Sequence, residues 1–192
     1  MRMLVLVSML LALPLVASAC GPCAVKPVAT PTAHACARGR TVVLVRHAEK
    51  ASAAKDASLS DRGRERANAL ASMFGHAGVT RLIATQYKRT QETLAPLAQR
   101  VSLPVDVRDA SATQDLLGEL RAAPDGSFIV VATHSNVLPL IVRELAGATL
   151  RGVVGDTLAE DDFSRVVVIA EPCGAKPSMV DLSSGDDVSI AR

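Results

Sequence analysis

The chain has 192 residues with 49% apolar and 21% charged positions and a formal net charge of +2, which is the balance of a folded domain rather than a disordered segment. It has no Trp, one Tyr and three Phe, and its basic residues are scattered, so there is neither a stacking platform nor a basic stripe for nucleic acid. The length suits one domain with a short extension, not two domains.

The amino terminus, "MRMLVLVSMLLALPLVASAC", has Arg2 near its start, an apolar run from Leu4 to Val16, and then Ala17-Ser18-Ala19 ahead of Cys20. That order is the pattern of a secretory signal peptide over 1–19. Running from Leu4 to Val16 and broken by Pro14, the apolar run is marginal for a membrane span. Cys20 after a small residue also fits a lipid-modified first residue, while Ala-Ser-Ala serves plain cleavage equally well. The Pro/Ala/Thr-rich stretch 20–40 reads as a tether, which favours the lipoprotein. The expected location is therefore outside the cytoplasm, periplasmic or anchored, with membrane contact only through a lipid on Cys20.

Four cysteines, Cys20, Cys23, Cys36 and Cys173, allow three pairings in an oxidising compartment. Cys36 and Cys173 flank the domain, and their pairing would close its ends. The "CGPC" at 20–23 resembles a redox pair, but it lacks the preceding strand and following helix such a motif needs.

From 41 to 192 the pattern alternates between apolar β-branched runs and amphipathic stretches. Thr41–Val45 reads as a buried strand. Ser60 is placed to cap a helix through Phe74 that closes near Gly75. "RLIAT" is a second strand, followed by a helix from about Tyr87 with Leu94, Leu97, Ala98 and Val101 on one face and a kink at Pro96. Val105–Val107 reads as an outer strand and Thr113–Ala122 as a short helix. "SFIVVAT" is a further buried strand leading into a helix over Asn136–Ala146 ended by Gly147. "RVVVIA" is the last strong strand, with "SMVDL" at the edge. Such alternation gives a three-layer α/β/α sandwich around a mostly parallel sheet.

In such sheets, ligands bind beyond the carboxyl ends of the parallel strands. Arg46 and His47 follow the first strand, Arg89 opens the helix after the second, and His134 follows "SFIVVAT". Each alone reads as a surface or structural residue. Together, these cations on one rim would repel one another unless an anion or neutral imidazoles relieved them, and a phosphate suits the guanidinium forks. One histidine would attack phosphorus, and the other would donate a hydrogen bond to the developing charge. The start of the helix at Arg89 would add backbone N–H donors.

"VRHAEK", "LSDRGRERA", "ATQYKRTQETL" and "VATHSN" together resemble the signature of the histidine phosphatase superfamily, the phosphoglycerate mutase-like proteins, over Thr41 to Ile169. The resemblance implies that fold and a compact phosphatase of phosphomonoesters that needs no metal or other cofactor. In it His47 matches the phosphorylated nucleophile, and Arg46, Arg89 and His134 match the phosphate pocket. Ser135 stands where one branch of the family has its acid, and the segment Val107–Leu120 is too short for the insertion that carries the acid in another. That leaves Glu49, Asp109, Asp115 and Glu119 as open candidates. The short insertion also implies an open pocket, and with the export signal it points to a phosphorylated small molecule or envelope glycan as partner. The competing expectation is a phosphate-binding member of the fold that has lost catalysis. His34 and His76 lie in the tether and a loop and carry no expected role.

Overall fold

The computed structural model describes residues 39–183. The segments 1–38 and 184–192 lie outside the described residues, and with them the expected signal peptide, Cys20, the "CGPC" motif and Cys36. Cys173 is disulfide-bonded.

Six strands form the main sheet: β1 (Arg40–Arg46), β2 (Arg81–Thr85), β3 (Val105–Arg108), β4 (Phe128–Thr133), β7 (Arg165–Glu171) and β8 (Ser178–Ser183). Their order is β3-β2-β4-β1-β7-β8. The pairs β1–β4, β2–β4 and β2–β3 are parallel, whereas β7 and β8 join antiparallel. A short hairpin, β5 (Val153–Val154) with β6 (Thr157–Leu158), precedes β7. The sequence pattern did not mark that hairpin, because two-residue strands carry no periodicity.

The continuous apolar runs are explained by burial on both faces. Val42, Leu44, Ile83, Ile129 and Val131 pack against α3 (Thr113–Arg121) and α4 (Leu138–Ala146) through Leu117, Leu120, Leu138 and Ile141. Their neighbours in sequence, Val43, Val45, Leu82, Val130 and Ala132, pack the other way. They meet Leu70, Phe74, Leu94 and Leu97 of α1 (Asp61–Phe74) and α2 (Lys88–Val101). The three-layer α/β/α sandwich is as expected.

Helix boundaries follow the capping chemistry. Ser60 Oγ accepts a hydrogen bond from Gly63 N–H at 3.1 Å and starts α1. Gly147, at φ 62°, ends α4 in the left-handed region where glycine carries no Cβ penalty. α4 begins at Leu138 rather than Asn136, since the amides of Val137 and Leu138 both turn back to His134 O and Pro139 sits in the first turn. α2 runs from Lys88 to Val101 with Pro96 inside it.

α1 lies so close to the loop after β1 that a Cβ on Gly63 would stand 2.3 Å from Glu49 O. The same carbonyl accepts from Ser60 N–H at 2.9 Å, so it has little freedom to retreat. Gly63→Ala is therefore expected to cost about 1–3 kcal/mol, as overpacking does. Denaturant unfolding that showed no loss would contradict this reading of the contact.

Candidate active site

β1 and β4 lie side by side, with Arg46 opposite Thr133, and the pairing continues one step through the His47 N–H to Thr133 O bond at 2.8 Å. That register delivers His47 and His134 to the same rim, with ring centroids 5.5 Å apart. Arg89 comes from the first turn of α2, after β2, with Nη2 3.5 Å from His134 Nδ1. Arg46, at the end of β1, and His47 are both buried, at 8% and 6% exposure. The four residues expected from sequence are thus brought together.

His47 is fixed in one tautomer. Its Nδ1 lies 2.8 Å from Ala48 O, and a carbonyl can only accept, so Nδ1 carries the proton. Burial, set against that hydrogen bond and reinforced by Arg89, His134 and Arg46, pushes its pKa down to about 3. At neutral pH the ring is uncharged, and Nε2 holds a free lone pair. The arginines contribute to this, as expected from sequence, but desolvation is the larger cause. The Ala48 peptide is held at both ends, because its N–H donates to Thr93 Oγ1 at 2.9 Å while Thr93 donates to Arg89 O.

His134 is set by a chain of hydroxyls. Thr90 Oγ1 donates its one proton to the backbone oxygens of Tyr87 and Thr85, at 2.7 and 3.0 Å. It must then accept from Thr85 Oγ1, 2.9 Å away. Thr85 has no proton left, so it accepts from His134 Nε2–H at 3.0 Å. Nδ1 of His134 is therefore the bare nitrogen, and it faces Arg89. Burial, then Arg89 and Arg46, push this ring's pKa down to about 4. Nothing in single-residue reasoning marked Thr85, Thr90 or Thr93. Their signal was the run of hydroxyl residues at the end of β2 and on one face of α2.

Both guanidinium groups are partly occupied. Arg46 Nη1 donates to Ala159 O at 2.7 Å and Asp162 O at 3.2 Å, and its Cζ lies 4.1 Å from the Phe163 ring centroid. Arg89 Nη1 donates to Lys55 O at 2.6 Å, and its Cζ lies 4.2 Å over Tyr87. In each, Nε is buried and has no hydrogen-bond partner among the described residues. Burial lowers the pKa of both groups from the ordinary arginine value. The expectation of free backbone donors at the start of α2 needs correcting at Lys88, whose N–H goes to Asp56 Oδ1 at 2.8 Å.

The four candidate acids separate clearly. Glu49 is held by Arg66 through both carboxylate oxygens, at 2.7 to 3.1 Å, with Arg62 at 3.3 Å. Burial acts to raise its pKa, but the Arg66 hydrogen bonds and the Arg66 and Arg62 charges carry it below the usual value. Glu119 is clamped by Arg81 and Arg108 and is also held low, chiefly by Arg108. Asp109 accepts from Ser111 N–H and Oγ–H in a tight turn, which holds it low and exposed. Asp115 is an exposed residue in the first turn of α3. The carboxylates acting most strongly on Arg46 are instead Asp162, Glu160 and Asp161. Sequence reasoning passed over this run, although "EDDF" stands immediately before the last strong strand, on the same rim.

Both histidines titrate near 6.5 in an unfolded chain but near 3 and 4 when folded. Between those values the unfolded state holds more protons, so stability falls as pH drops through that window. The melting temperature of the unliganded protein should fall between about pH 7 and pH 4, and fall less in His47→Ala. Parallel pH profiles for the two proteins would refute the burial argument.

Residues 42–112 match the model of the Histidine phosphatase superfamily (branch 1). His134 lies beyond that match and is placed by the fold. No curated protein sequence matches the chain. Among solved structures, a mycobacterial glucosyl-3-phosphoglycerate phosphatase is 15% identical with a TM-score of 0.60, covering 77% of this chain and 100% of that one. The protein histidine phosphatase SixA in complex with tungstate is 17% identical with a TM-score of 0.55, covering 75% and 97%. A structure described as mycobacterial hydrolase 2 is 16% identical with a TM-score of 0.60, covering 80% and 95%. At these identities the neighbours establish the shared fold, and the segment 42–112 is similar to the histidine phosphatase superfamily.

Proposed function

We propose that the domain hydrolyses phosphomonoesters through a phosphohistidine on His47, without a metal ion. The observation that carries this reading is the convergence of Arg46, Arg89 and His134 on the neutral imidazole of His47, with the two arginine Nε–H groups buried without an acceptor among the described residues. A buried donor left unpaired costs about 1–3 kcal/mol, and more when charged, so two in one site call for a ligand with acceptor oxygens. A phosphate dianion supplies them.

In the first step, His47 Nε2 donates its lone pair to phosphorus. The P–O bond to the alcohol breaks, and the leaving oxygen takes up a proton from water in the open pocket. Arg46 and Arg89 hold the equatorial oxygens as charge spreads over them. The incoming dianion raises the pKa of His134, whose Nδ1 then gains a proton and donates to the same oxygens. Water next attacks the phosphohistidine, releasing phosphate and restoring the neutral ring.

β3 and α3 are separated by only residues 109–112, so no large insertion stands there. That supports an open pocket suited to hydrolysis rather than to a mutase, which must exclude water. The pattern at 1–19 supports an exported enzyme, lipid-anchored through Cys20 or released, with a phosphorylated small molecule or envelope glycan as its substrate. The alternative, a phosphate-binding domain without turnover, draws on the ion-paired state of Glu49 and Glu119.

Hydrolysis of an aryl phosphate in the presence of chelator, beside vanadate binding, decides between them. Turnover that survives the chelator supports the proposal. Vanadate binding without turnover favours the alternative, and neither would refute both.

A further inference from the structure

With one Tyr, three Phe and no Trp, the chain has few aromatic rings to place. Phe74 and Phe128 pack on each other in the core, with centroids 6.0 Å apart. The other two rings each lie against one arginine of the candidate site. Arg89 Cζ stands 4.2 Å from the Tyr87 centroid, and Arg46 Cζ stands 4.1 Å from that of Phe163. Each ring also meets one of the two histidines. Tyr87 lies 5.5 Å from His134 at an interplanar angle of 80°, and Phe163 lies 6.0 Å from His47 at 54°. Both rings are half-buried.

Two separate parts of the chain build the same arrangement. Around Arg46, Asp162 N–H closes a turn onto Ala159 O at 3.1 Å, and that turn offers both Ala159 O and Asp162 O to Nη1. Phe163 is the next residue. Around Arg89, Lys55 O accepts from Nη1, and Tyr87 stands two positions earlier at the N-cap of α2. The Tyr87 carbonyl accepts from Thr90 N–H and Oγ1–H, at 3.1 and 2.7 Å, which fixes the backbone carrying the ring. In both places carbonyl oxygen anchors one corner of a guanidinium while an aromatic ring covers one face. A corner anchor alone lets the plane swing about that atom, and a ring across the face removes the swing. Guanidinium donors point outward in the plane, so a covered face leaves them usable. Nε of each arginine is such a donor, buried without a partner among the described residues.

We propose that Tyr87 and Phe163 are positioning residues, which hold the guanidinium planes of Arg89 and Arg46 beside the two imidazoles so that both forks are set before an oxyanion arrives. The inference rests on the phosphatase reading of the site. Leucine could fill much of the same volume, but it has no π-face to attract a cation. Donors already in place act most on charge that develops in the transition state, because they need no rearrangement at that moment. The role therefore belongs to the ring faces and not to the Tyr87 hydroxyl.

The test compares the wild type with Tyr87→Leu, Phe163→Leu, Tyr87→Phe and Phe163→Tyr. It measures kcat and KM on an aryl phosphate, and affinity for vanadate, which copies the five-coordinate geometry of phosphoryl transfer, and for inorganic phosphate. Each leucine variant should lose about tenfold in kcat and a similar factor in vanadate affinity, the scale of one desolvated cation–π contact. KM and phosphate affinity should change far less, and the two aromatic exchanges should restore the wild-type values. Methionine at either position gives the same comparison should leucine pack too poorly to fold. Leucine variants with wild-type kcat overturn the inference. A raised KM with kcat kept also overturns it, by making the rings substrate contacts. So does a Tyr87→Phe loss equal to that of Tyr87→Leu, which assigns the effect to the hydroxyl. If the wild type binds vanadate without turnover, the phosphatase reading fails alone, and the vanadate-to-phosphate comparison still decides the role of the rings. Neither turnover nor binding overturns both.

Discussion

Replacing His47 by alanine should reduce phosphomonoester turnover by on the order of 10⁴-fold or more, the scale seen when a covalent nucleophile is deleted from a working site. The size follows from geometry. Among the described residues the other imidazole at the rim belongs to His134, whose Nε2 proton is committed to Thr85 and whose Nδ1 faces Arg89. The lone pair on that Nδ1 is turned toward Arg89 rather than left open for phosphorus. The fold should survive, because the backbone amide of residue 47 keeps its bond to Thr133 O and the strands of β1 are otherwise untouched. Removing a buried ring held neutral at a cost should also make the variant less sensitive to acid, which separates loss of chemistry from loss of structure. Vanadate should still bind, since Arg46 and Arg89 remain. Rapid-quench labelling of the wild type should place one phosphoryl group on the peptide containing His47. A variant with undiminished turnover, or a label on another residue, would end the mechanism.

The sequence carried most of the fold because its signals were local. "RLIAT" was a strand as read, Ser60 was the cap as read, and Gly147 closed α4 as read, each from residues within a few positions. The four rim residues were legible for a related reason. A charged residue placed straight after a buried strand is costly without a function, and parallel topology sends such strand ends to one edge. What sequence could not supply was pairing across the chain. Glu49 looked like a free acid beside His47 until Arg66, on the facing side of α1, claimed both its oxygens. Glu119 met Arg81 and Arg108 in the same way. The tautomers of both histidines depend on hydroxyls and carbonyls whose directions are tertiary facts. The stacking of Phe163 on Arg46 depends on a loop that begins after a hairpin too short to read.

Arg46→Lys tests the clamp most sharply, because it keeps the charge and removes the fork. Lysine offers one ammonium where arginine offers Nε and both Nη groups. In the wild type Nη1 is committed to Ala159 O and Asp162 O, which anchors the guanidinium, while Nε is buried without an acceptor among the described residues. A lysine ammonium can satisfy those two carbonyls or reach the phosphoryl oxygens, but it cannot hold both geometries at once. It also loses the planar contact with Phe163. The expected result is a fall in kcat of about 10²–10³-fold, as when one preorganised donor to a developing charge is removed. KM should change far less, since the net charge attracting the dianion is preserved. Stability should stay near that of the wild type if the ammonium replaces Nη1 on the two carbonyls. A split of the opposite kind, with KM raised and kcat kept, would mean that Arg46 binds substrate and transition state equally and that the buried Nε plays no special part.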